Sequence, residues 1–295
     1  MHTQSRAALE GALWMVLAGA AFAGVNTLEQ IATMQAGLPA PTAAFLQYLV
    51  AFIVVLPWAI RRGISAMKTR RPGLHGLRVV LSALGVQAWV AGLAHGVPIG
   101  TAIALVMTSP FFVTLGAGLF LKESITPERW LAVAAGFVGG MIILDPLASG
   151  WSSIDLLPVA AAAFWAGASL CQKRLLLEES PSASTAWLLL LLAPINLVLA
   201  VPSGLLPSSS FQFWTIAAVG ILTALAQGLL SLAYSKADAA YVQPFDHVKL
   251  PLNILAGWVV LGTVPPGRLW IGATLIAGAS LFLLMRETRA ARAAA

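Results

Sequence analysis

The sequence predicts an all-α integral membrane protein with ten transmembrane helices, arranged as two inverted five-helix repeats. The first observation is composition: the 295-residue chain is 59% hydrophobic and only 9% charged, with a mean hydropathy of +0.87. Soluble domains carry about 25% charged residues, so most of this surface must face lipid. The second observation is a series of apolar stretches, which gives the number of helices, and the third is a weak match between the two halves, which indicates the repeat.

Ten apolar stretches are each long enough to cross about 30 Å of hydrocarbon. They cover residues 11–33, 40–60, 74–95, 99–121, 127–145, 156–173, 183–203, 211–234, 241–262 and 267–285. The segments between them are short and rich in turn-forming residues, as in Arg70-Arg71-Pro72-Gly73. No connection is long enough to hold a soluble domain.

The distribution of basic residues supports the count of ten. With ten spans, 15 of the 17 Lys and Arg residues belong to the side of the membrane that carries both termini. They are Arg6, Arg61, Arg62, Lys68, Arg70, Arg71, Arg78, Lys122, Arg129, Lys173, Arg174, Lys236, Arg286, Arg289 and Arg292. Cytoplasmic connections of membrane proteins carry an excess of Lys and Arg, so we expect both termini to be cytoplasmic.

The two halves match each other at nearly constant offsets. Thr42-Ala43 falls on Thr185-Ala186 at an offset of 143, and Pro127 and Arg129 fall on Pro266 and Arg268 at an offset of 139. Each half contains five spans, and an odd number inserts the second copy upside down. The predicted units are residues 1–147 and 148–295. Inverted repeats of this kind place substrate near the middle of the bilayer, between the repeats.

Two segments resemble a known family. Residues 119–140 read LFLKESITPERWLAVAAGFVGG, with Glu123 in the loop, and residues 244–251 read PFDHVKLP. Both patterns, on two five-span halves, resemble the EamA family of the drug/metabolite transporter superfamily. The resemblance implies a multi-pass transporter of the bacterial inner membrane. The second half departs from the pattern: LGTVPPGRLWIGATLIAGAS has Thr263 in place of the loop acid.

The ninth span carries charge close to the predicted midplane. Asp246 and Lys249 lie about 8–13 Å into this span at 1.5 Å per residue, and Asn253 continues the same helical face. A charge at the centre of a spanning helix costs about 2.5–3.5 kcal/mol, so it normally faces an interior or a cavity. These side chains are candidate substrate ligands, together with the neighbouring His247. A structural Asp246–Lys249 pair is the alternative.

Several other residues within the spans are candidates for the same site. Polar candidates are Asn26, Gln87 and Tyr234, and candidate aromatic walls are Trp89 and Trp165. Pro251 removes a backbone hydrogen bond to the carbonyl of His247, and Pro110 lies at a similar depth in the fourth span. We therefore predict Pro110 and Pro251 as hinges. Glu29 could lie solvated at the cavity mouth, pair with Lys249 or another cavity group, or titrate with protons.

Soluble-enzyme chemistry has no visible basis in the sequence. The single cysteine, Cys171, excludes an internal disulfide and a Cys-based metal cluster, and no Gly-rich phosphate loop, HExxH or GxSxG pattern occurs. We expect no enzymatic activity, no metal, no other cofactor and no nucleic-acid partner. The expected partners are a small-molecule substrate and the lipid bilayer, and the oligomeric state is open.

The predicted function is secondary transport by alternating access. A zwitterionic substrate needs an anion, a cation and an apolar wall, which Asp246, Lys249 and the aromatic residues could supply. The sequence therefore favours export of amino acids, with aromatic or other apolar ones as the candidate substrates. The alternatives are uptake or exchange of a nucleotide-like metabolite such as S-adenosylmethionine, and multidrug export. Proton coupling and facilitated diffusion are equally compatible with the residues.

Overall fold

A computed structural model describes residues 2–62, 67–95, 97, 99–144, 153–262, 264 and 267–293. These residues form twelve α-helices and no β-strand. The helices are α1 His2–Gln30, α2 Ala40–Arg62, α3 Pro72–Ala94, α4 Ile99–Val106, α5 Ser109–Leu121, α6 Pro127–Leu144, α7 Leu156–Leu175, α8 Pro181–Ala200, α9 Ser210–Lys236, α10 Ala239–Asp246, α11 Lys249–Leu261 and α12 Arg268–Ala293. A π-helical segment, Ile31–Gln35, extends α1.

The twelve helices correspond to the ten predicted spans, because two spans are broken. Helices α4 and α5 share the fourth span, and α10 and α11 share the ninth. Pro110 is the second residue of α5, and Pro251 is the third residue of α11. Proline lacks an N–H and is favoured in the first turn of a helix, so a new helix begins just before each proline. The fold class is confirmed, with the correction that these two spans are not continuous.

The outer surface of the bundle is apolar, as lipid requires. By length and composition, five described helices could cross a membrane: Arg6–Gln35, Ala40–Arg61, Pro181–Ser203, Ser210–Lys236 and Arg268–Arg286. Large apolar side chains point outward, and Phe120, Trp214 and Val259 are each at least 70% exposed. Much of the buried interior is alanine, and small residues let membrane helices approach closely without a hydrophobic driving force.

Helix packing repeats across the two halves. Helix α1 packs against α9, and its repeat mate α7 packs against α3. At both crossings a glycine faces a leucine: a Cβ added to Gly24 would lie 3.2 Å from Leu222, and one added to Gly167 would lie 3.1 Å from Leu81. The last helices of the two repeats, α6 and α12, also pack together. The same contacts made twice are the expected signature of an internal repeat.

Ion pairs place both ends of the chain on one face of the bundle. Glu10, near the start of α1, pairs with Lys236 at the end of α9 (3.0 Å). Arg286, near the end of α12, pairs with Glu128 at the start of α6 (2.8 Å). We call this the terminal face. The predicted boundary between residues 147 and 148 lies outside the described residues, as does Thr263.

Candidate substrate cavity

A cavity of about 530 Å³ lies between the two repeats. Its lining comes from α1, α2, α3, α4, α5, α7, α8, α9, α10 and α11, and none of the described side chains of α6 or α12 contributes. Small-molecule sites usually measure about 300–1,000 Å³ and combine apolar walls with a few polar groups. The cavity therefore has the size and the position that an inverted-repeat transporter needs for its substrate.

The structure brings seven of the nine predicted ligands to the cavity wall. They are Asn26, Gln87, Trp89, Trp165, Tyr234, Asp246 and Lys249. These residues come from α1, α3, α7, α9, α10 and α11, so no single segment of sequence contains the site. The remaining two predicted ligands, His247 and Asn253, do not line the cavity.

Asp246 and Lys249 meet at the break between α10 and α11. The Lys249 ammonium donates to the Asp246 carboxylate (Nζ to Oδ2, 2.6 Å), and their side chains are 37% and 21% exposed respectively. Two backbone hydrogen bonds span the break, each to the carbonyl three residues earlier. They run from the Val248 N–H to the Phe245 carbonyl (3.2 Å) and from the Leu250 N–H to the His247 carbonyl (3.1 Å). The carbonyl that Pro251 was predicted to leave free thus accepts from Leu250.

Asn253 supports the site from behind the cavity wall. Its side-chain amide donates to the Lys249 carbonyl (2.6 Å), and its side-chain oxygen accepts from Asn26 Nδ2 (2.8 Å). These bonds connect the start of α11 to α1. Asn253 therefore positions Asn26 and Lys249 rather than touching the cavity itself, because its hydrogen bonds are directed at its neighbours.

His247 is turned away from the cavity. It is only 1% exposed, and its ring lies so close to Gly136 of α6 that a Cβ on that glycine would overlap it. Adjacent residues of a helix point about 100° apart, so His247 faces α6 while Asp246 faces the cavity. The predicted contact between His247 and substrate does not fit this position.

Two tryptophans form an aromatic wall. The rings of Trp89 and Trp165 are 6.3 Å apart and tilted by 43°. Trp165 is held in place because its indole N–H donates to the Ser82 carbonyl (3.3 Å) and its ring lies over Gly85, where any Cβ would collide with it. A fixed indole face is a suitable surface for stacking a flat ring.

The end of the cavity towards the terminal face, which we call the floor, is polar. Gln172 donates to Ser231 (2.8 Å), and Gln243 donates to the Tyr234 hydroxyl (3.0 Å). Arg78 also borders the floor. Sequence reasoning assigned Arg78 to the basic residues of the terminal side and missed it as a cavity residue. Its position four residues inside the third predicted span was the available signal.

Glu29 lines the cavity near the end of α1 furthest from the terminal face. Of the three roles considered for it, pairing with Lys249 does not occur in this structure, since Lys249 pairs with Asp246. Within the described part of the chain, Glu29 takes part in no ion pair. Its place at the cavity mouth agrees with the first of the three roles.

Below the floor, polar contacts close the terminal face, one set between the two repeats and one within the second repeat. The Glu123 carboxylate accepts from the first two backbone N–H groups of α10, those of Ala239 (2.9 Å) and Ala240 (3.0 Å). Lys173 donates to the carbonyls of Tyr234 (2.9 Å) and Ala237 (2.6 Å) at the end of α9. Sequence reasoning noted Glu123 only as a family feature. Its partner lies 116 residues away, so no local pattern reveals the contact.

A surface ion pair lies further out on the same face. Arg71 and Glu178 are 2.6 Å apart, and the hydrogen bond from Arg71 lowers the pKa of the Glu178 carboxyl. Both side chains are more than a third exposed, and such pairs contribute little to stability. In the described residues, no group of three or more His, Cys, Asp or Glu could hold a metal ion.

Comparison with known proteins decides the family. A sequence model described as the EamA-like transporter family matches residues 9–145 and 152–285. The chain belongs to this family. The family resemblance stated from the sequence is confirmed, together with a multi-pass membrane transporter that acts on a small molecule. A solved structure titled "Crystal structure of protein" shares the fold, with a TM-score of 0.74 over 93% of this chain and 98% of that one at 19% identity.

Two relatives of known name are similar over nearly their whole length. A riboflavin transporter of Rhizobium johnstonii is 54% identical, over 97% of this chain and 94% of the relative. A riboflavin transporter of Vibrio cholerae is 49% identical, over 96% of each chain. These names overturn the predicted function: amino-acid export was wrong. Paired charges and aromatic walls suit a zwitterion, but they also suit a flat heteroaromatic ring with a polar chain.

Proposed function

We propose that this chain transports riboflavin across the bacterial inner membrane. The observation that carries the proposal is identity of 54% and 49% to two riboflavin transporters over almost the entire chain. Similarity at this level covers both repeats, and hence every helix that lines the cavity. The basic residues concentrated on the terminal face favour a cytoplasmic location for both termini.

The chemistry of the cavity supports a flavin. Riboflavin joins a flat, uncharged three-ring system to a chain of hydroxyl groups. The Trp89 and Trp165 rings offer surfaces for stacking, and the carboxamides of Asn26 and Gln87 can each donate and accept hydrogen bonds. A cavity of about 530 Å³ lies within the range of sites for ligands of this size.

The predicted site residues then take separate roles. Trp89 and Trp165 stack on the ring system, and Gln87, Asn26 and Tyr234 bond to its polar edges or to the hydroxyl chain. Asp246 and Lys249, exposed to the cavity at the helix break, bind hydroxyl groups, which both donate and accept. Pro110 and Pro251 are proposed as the points at which the broken spans bend during transport.

The direct test is riboflavin flux through the purified protein. Reconstituted into liposomes loaded with unlabelled riboflavin, it should exchange external radiolabelled riboflavin faster than protein-free liposomes do. Excess external riboflavin should compete, whereas excess tryptophan should not. Flux equal to that of protein-free liposomes would refute the proposal. Repeating the assay with and without a pH gradient distinguishes proton coupling from facilitated diffusion.

A matched pair of variants connects the flux to the cavity. Trp165→Phe keeps an aromatic face, whereas Trp165→Ala removes it. Base–aromatic stacking contributes about 1–3 kcal/mol, so we expect Trp165→Ala to weaken riboflavin binding by about tenfold or more and Trp165→Phe by less. Binding is measured by the quenching of flavin fluorescence, and equal affinity in both variants would place the ring system elsewhere.

A further inference from the structure

Arg78 is the least expected residue of the cavity floor. It is only 2% exposed and borders the cavity, about two turns into α3. One guanidinium nitrogen, Nη1, donates to the carbonyl and to the hydroxyl of Ser184, both at 3.0 Å. Both acceptors are neutral and belong to α8, so these bonds position the guanidinium without neutralising its charge.

No carboxylate lies within ion-pair distance of Arg78 among the described residues. Glu179, an acid on the terminal side of the bundle, is hydrogen-bonded instead to the side chains of Thr69 (2.6 Å) and His75 (2.9 Å). A buried charge is costly unless it is paired or fully hydrogen-bonded. Arginine carries five N–H donors in a planar fork, and the two bonds to Ser184 use only one of its nitrogens.

The two carboxamides of the floor already donate to neighbouring hydroxyl groups. Gln172 donates to Ser231, and Gln243 donates to Tyr234. Arg78 is therefore the donor-rich group that the floor can offer to a ligand. It matches an acceptor edge, such as a ring nitrogen beside a carbonyl, because the guanidinium fork can donate to both atoms at once.

The aromatic wall and Arg78 are attached to the same turn of α3, and both border the cavity. The Ser82 hydroxyl donates to the Arg78 carbonyl (2.8 Å), and the Ser82 carbonyl accepts from the Trp165 indole (3.3 Å). Arg78 and Trp165 are thus connected through a single turn of α3. Both side chains border the same cavity, so a single planar heteroaromatic compound can stack on Trp165 and accept hydrogen bonds from the guanidinium.

We propose that Arg78 anchors the pyrimidine edge of the flavin, donating to ring nitrogen N1 and the C2 carbonyl while Trp165 stacks on the ring. This inference rests on the proposed riboflavin transport and adds an orientation to it. The pyrimidine end of the ring system points to the terminal face, and the dimethylbenzene end points to the cavity mouth. Arg78 acts here as a substrate-binding residue.

The test uses two analogues, each lacking one ring nitrogen. In 1-deazariboflavin a C–H replaces the acceptor N1, and in 5-deazariboflavin a C–H replaces N5, on the opposite side of the ring. Wild-type protein in detergent should bind the first about tenfold or more weakly than riboflavin, because the lost bond involves a charged donor. It should bind the 5-deaza analogue with nearly the affinity of riboflavin. If the wild-type protein binds both analogues with similar affinity, that measurement alone overturns the inference.

Variants turn this comparison into a thermodynamic cycle. In Arg78→Gln, riboflavin and 1-deazariboflavin should bind with affinities within about threefold of each other, because the donor that distinguishes them is gone. Arg71→Gln, which changes an arginine at the exposed ion pair outside the cavity, should keep the wild-type discrimination. If Arg78→Gln loses affinity for every compound but keeps the full N1 preference, Arg78 has only a structural role and the inference is wrong.

The two proposals can fail separately. Wild-type protein that binds no riboflavin refutes the proposed function, and the role of Arg78 falls with it. Wild-type protein that binds riboflavin without preference for N1 refutes only the role of Arg78. Arg78→Lys adds a graded control, because lysine keeps the charge but not the planar fork. It should recover part of the affinity for riboflavin and little of the discrimination.

Discussion

The two broken spans show the same backbone device with different chemistry. The turn at Met107 and Thr108 separates α4 from α5, and the turn at His247 and Val248 separates α10 from α11, an offset of 140 residues. In both, the second turn residue donates its N–H to the carbonyl three residues before it: Thr108 to Leu105 (3.1 Å) and Val248 to Phe245 (3.2 Å). The backbone break therefore belongs to the repeat unit.

The side chains at the two breaks differ. At the offset of 140, Val106 and Ser109 occupy the places of Asp246 and Lys249, and all four line the cavity. One break offers an apolar group and a hydroxyl, and the other offers an ion pair. Each repeat has one broken helix, but only the break in the second repeat carries charged side chains. The groups that the two repeats offer to a substrate therefore differ, although the backbone scaffold is symmetric.

Removing the charge should have the largest effect. We expect Lys249→Met to reduce riboflavin flux in liposomes by about tenfold to a hundredfold, since hydrogen bonds to charged groups contribute about 1.5–3 kcal/mol. Ser109→Ala, at the corresponding place of the neutral break, should reduce it by about twofold at most, because no hydrogen bond of the Ser109 side chain is formed to described residues. Equal losses of flux in the two variants would contradict the proposed difference between the two breaks.

The double variant separates a substrate site from a structural pair. If Asp246 and Lys249 only stabilise each other, Asp246→Asn/Lys249→Met should recover flux relative to either single variant, because no unpaired charge is left. If both bind substrate, the double variant stays as impaired as the worse single variant. We expect the second outcome. Thermal unfolding of each variant in detergent shows whether a loss of flux reflects a loss of folding.

Both breaks also pack against the same helix, α6, through side chains of different flexibility. His247 packs on Gly136, and Met107 packs on Gly140, where an added Cβ would lie 2.7 Å from its sulfur. A buried imidazole cannot move aside, whereas methionine is flexible. Gly136→Ala should therefore lower the free energy of unfolding by about 1–3 kcal/mol, and Gly140→Ala by less.

Thermal unfolding in detergent, monitored by circular dichroism, measures this difference. Gly278→Ala is a further control, because nothing lies within 4 Å of a Cβ added there. Replacing glycine by alanine inside a helix stabilises by about 0.4–1 kcal/mol where space allows, so this variant should melt at or above the wild-type temperature. A Gly140→Ala variant that melts below Gly136→Ala would contradict the ranking.

Hydropathy and helical periodicity predicted the features that depend on local sequence, namely the spans, the breaks near the prolines and the polar face of the ninth span. The ten spans follow from stretches long enough to cross a bilayer, and the weak points follow from proline, which lacks an N–H wherever it stands. The spacing of Asp246 and Lys249 predicted a shared face, and both residues do reach the cavity. The breaks lie a few residues before Pro110 and Pro251 because proline fits the first turn of the following helix.

Long-range contacts were beyond the reach of the same reasoning. Asn253 shares the predicted face with Lys249 but is drawn away by Asn26, 227 residues distant. From sequence alone, Arg78 fits equally well among the basic residues of a connection, and only its bonds to Ser184 of α8 show that it is held inside the bundle. Glu123 has a partner only when the two repeats are brought together. These assignments need the packing of the repeats, which one sequence does not encode in any local pattern.

The smallest predicted effect concerns the helix that leads into the charged break. Glu123, from the first repeat, caps the start of α10 through the N–H groups of Ala239 and Ala240. The second repeat has Thr263 at the corresponding place, so it supplies no equivalent carboxylate. Glu123→Gln keeps one oxygen but removes the negative charge at a helix N-terminus, which typically stabilises by about 0.3–1 kcal/mol.

Hydrogen–deuterium exchange at the start of α10 measures this cap. Glu123→Gln should increase exchange at Ala239 and Ala240 and leave exchange at the start of α5 unchanged, because the lost charge lies at one helix end only. Glu10→Gln removes a carboxylate from an exposed ion pair of the same face, and should leave exchange in α10 at the wild-type rate. If both variants raise exchange in α10 equally, the terminal face is held by its overall charge rather than by the Glu123 cap.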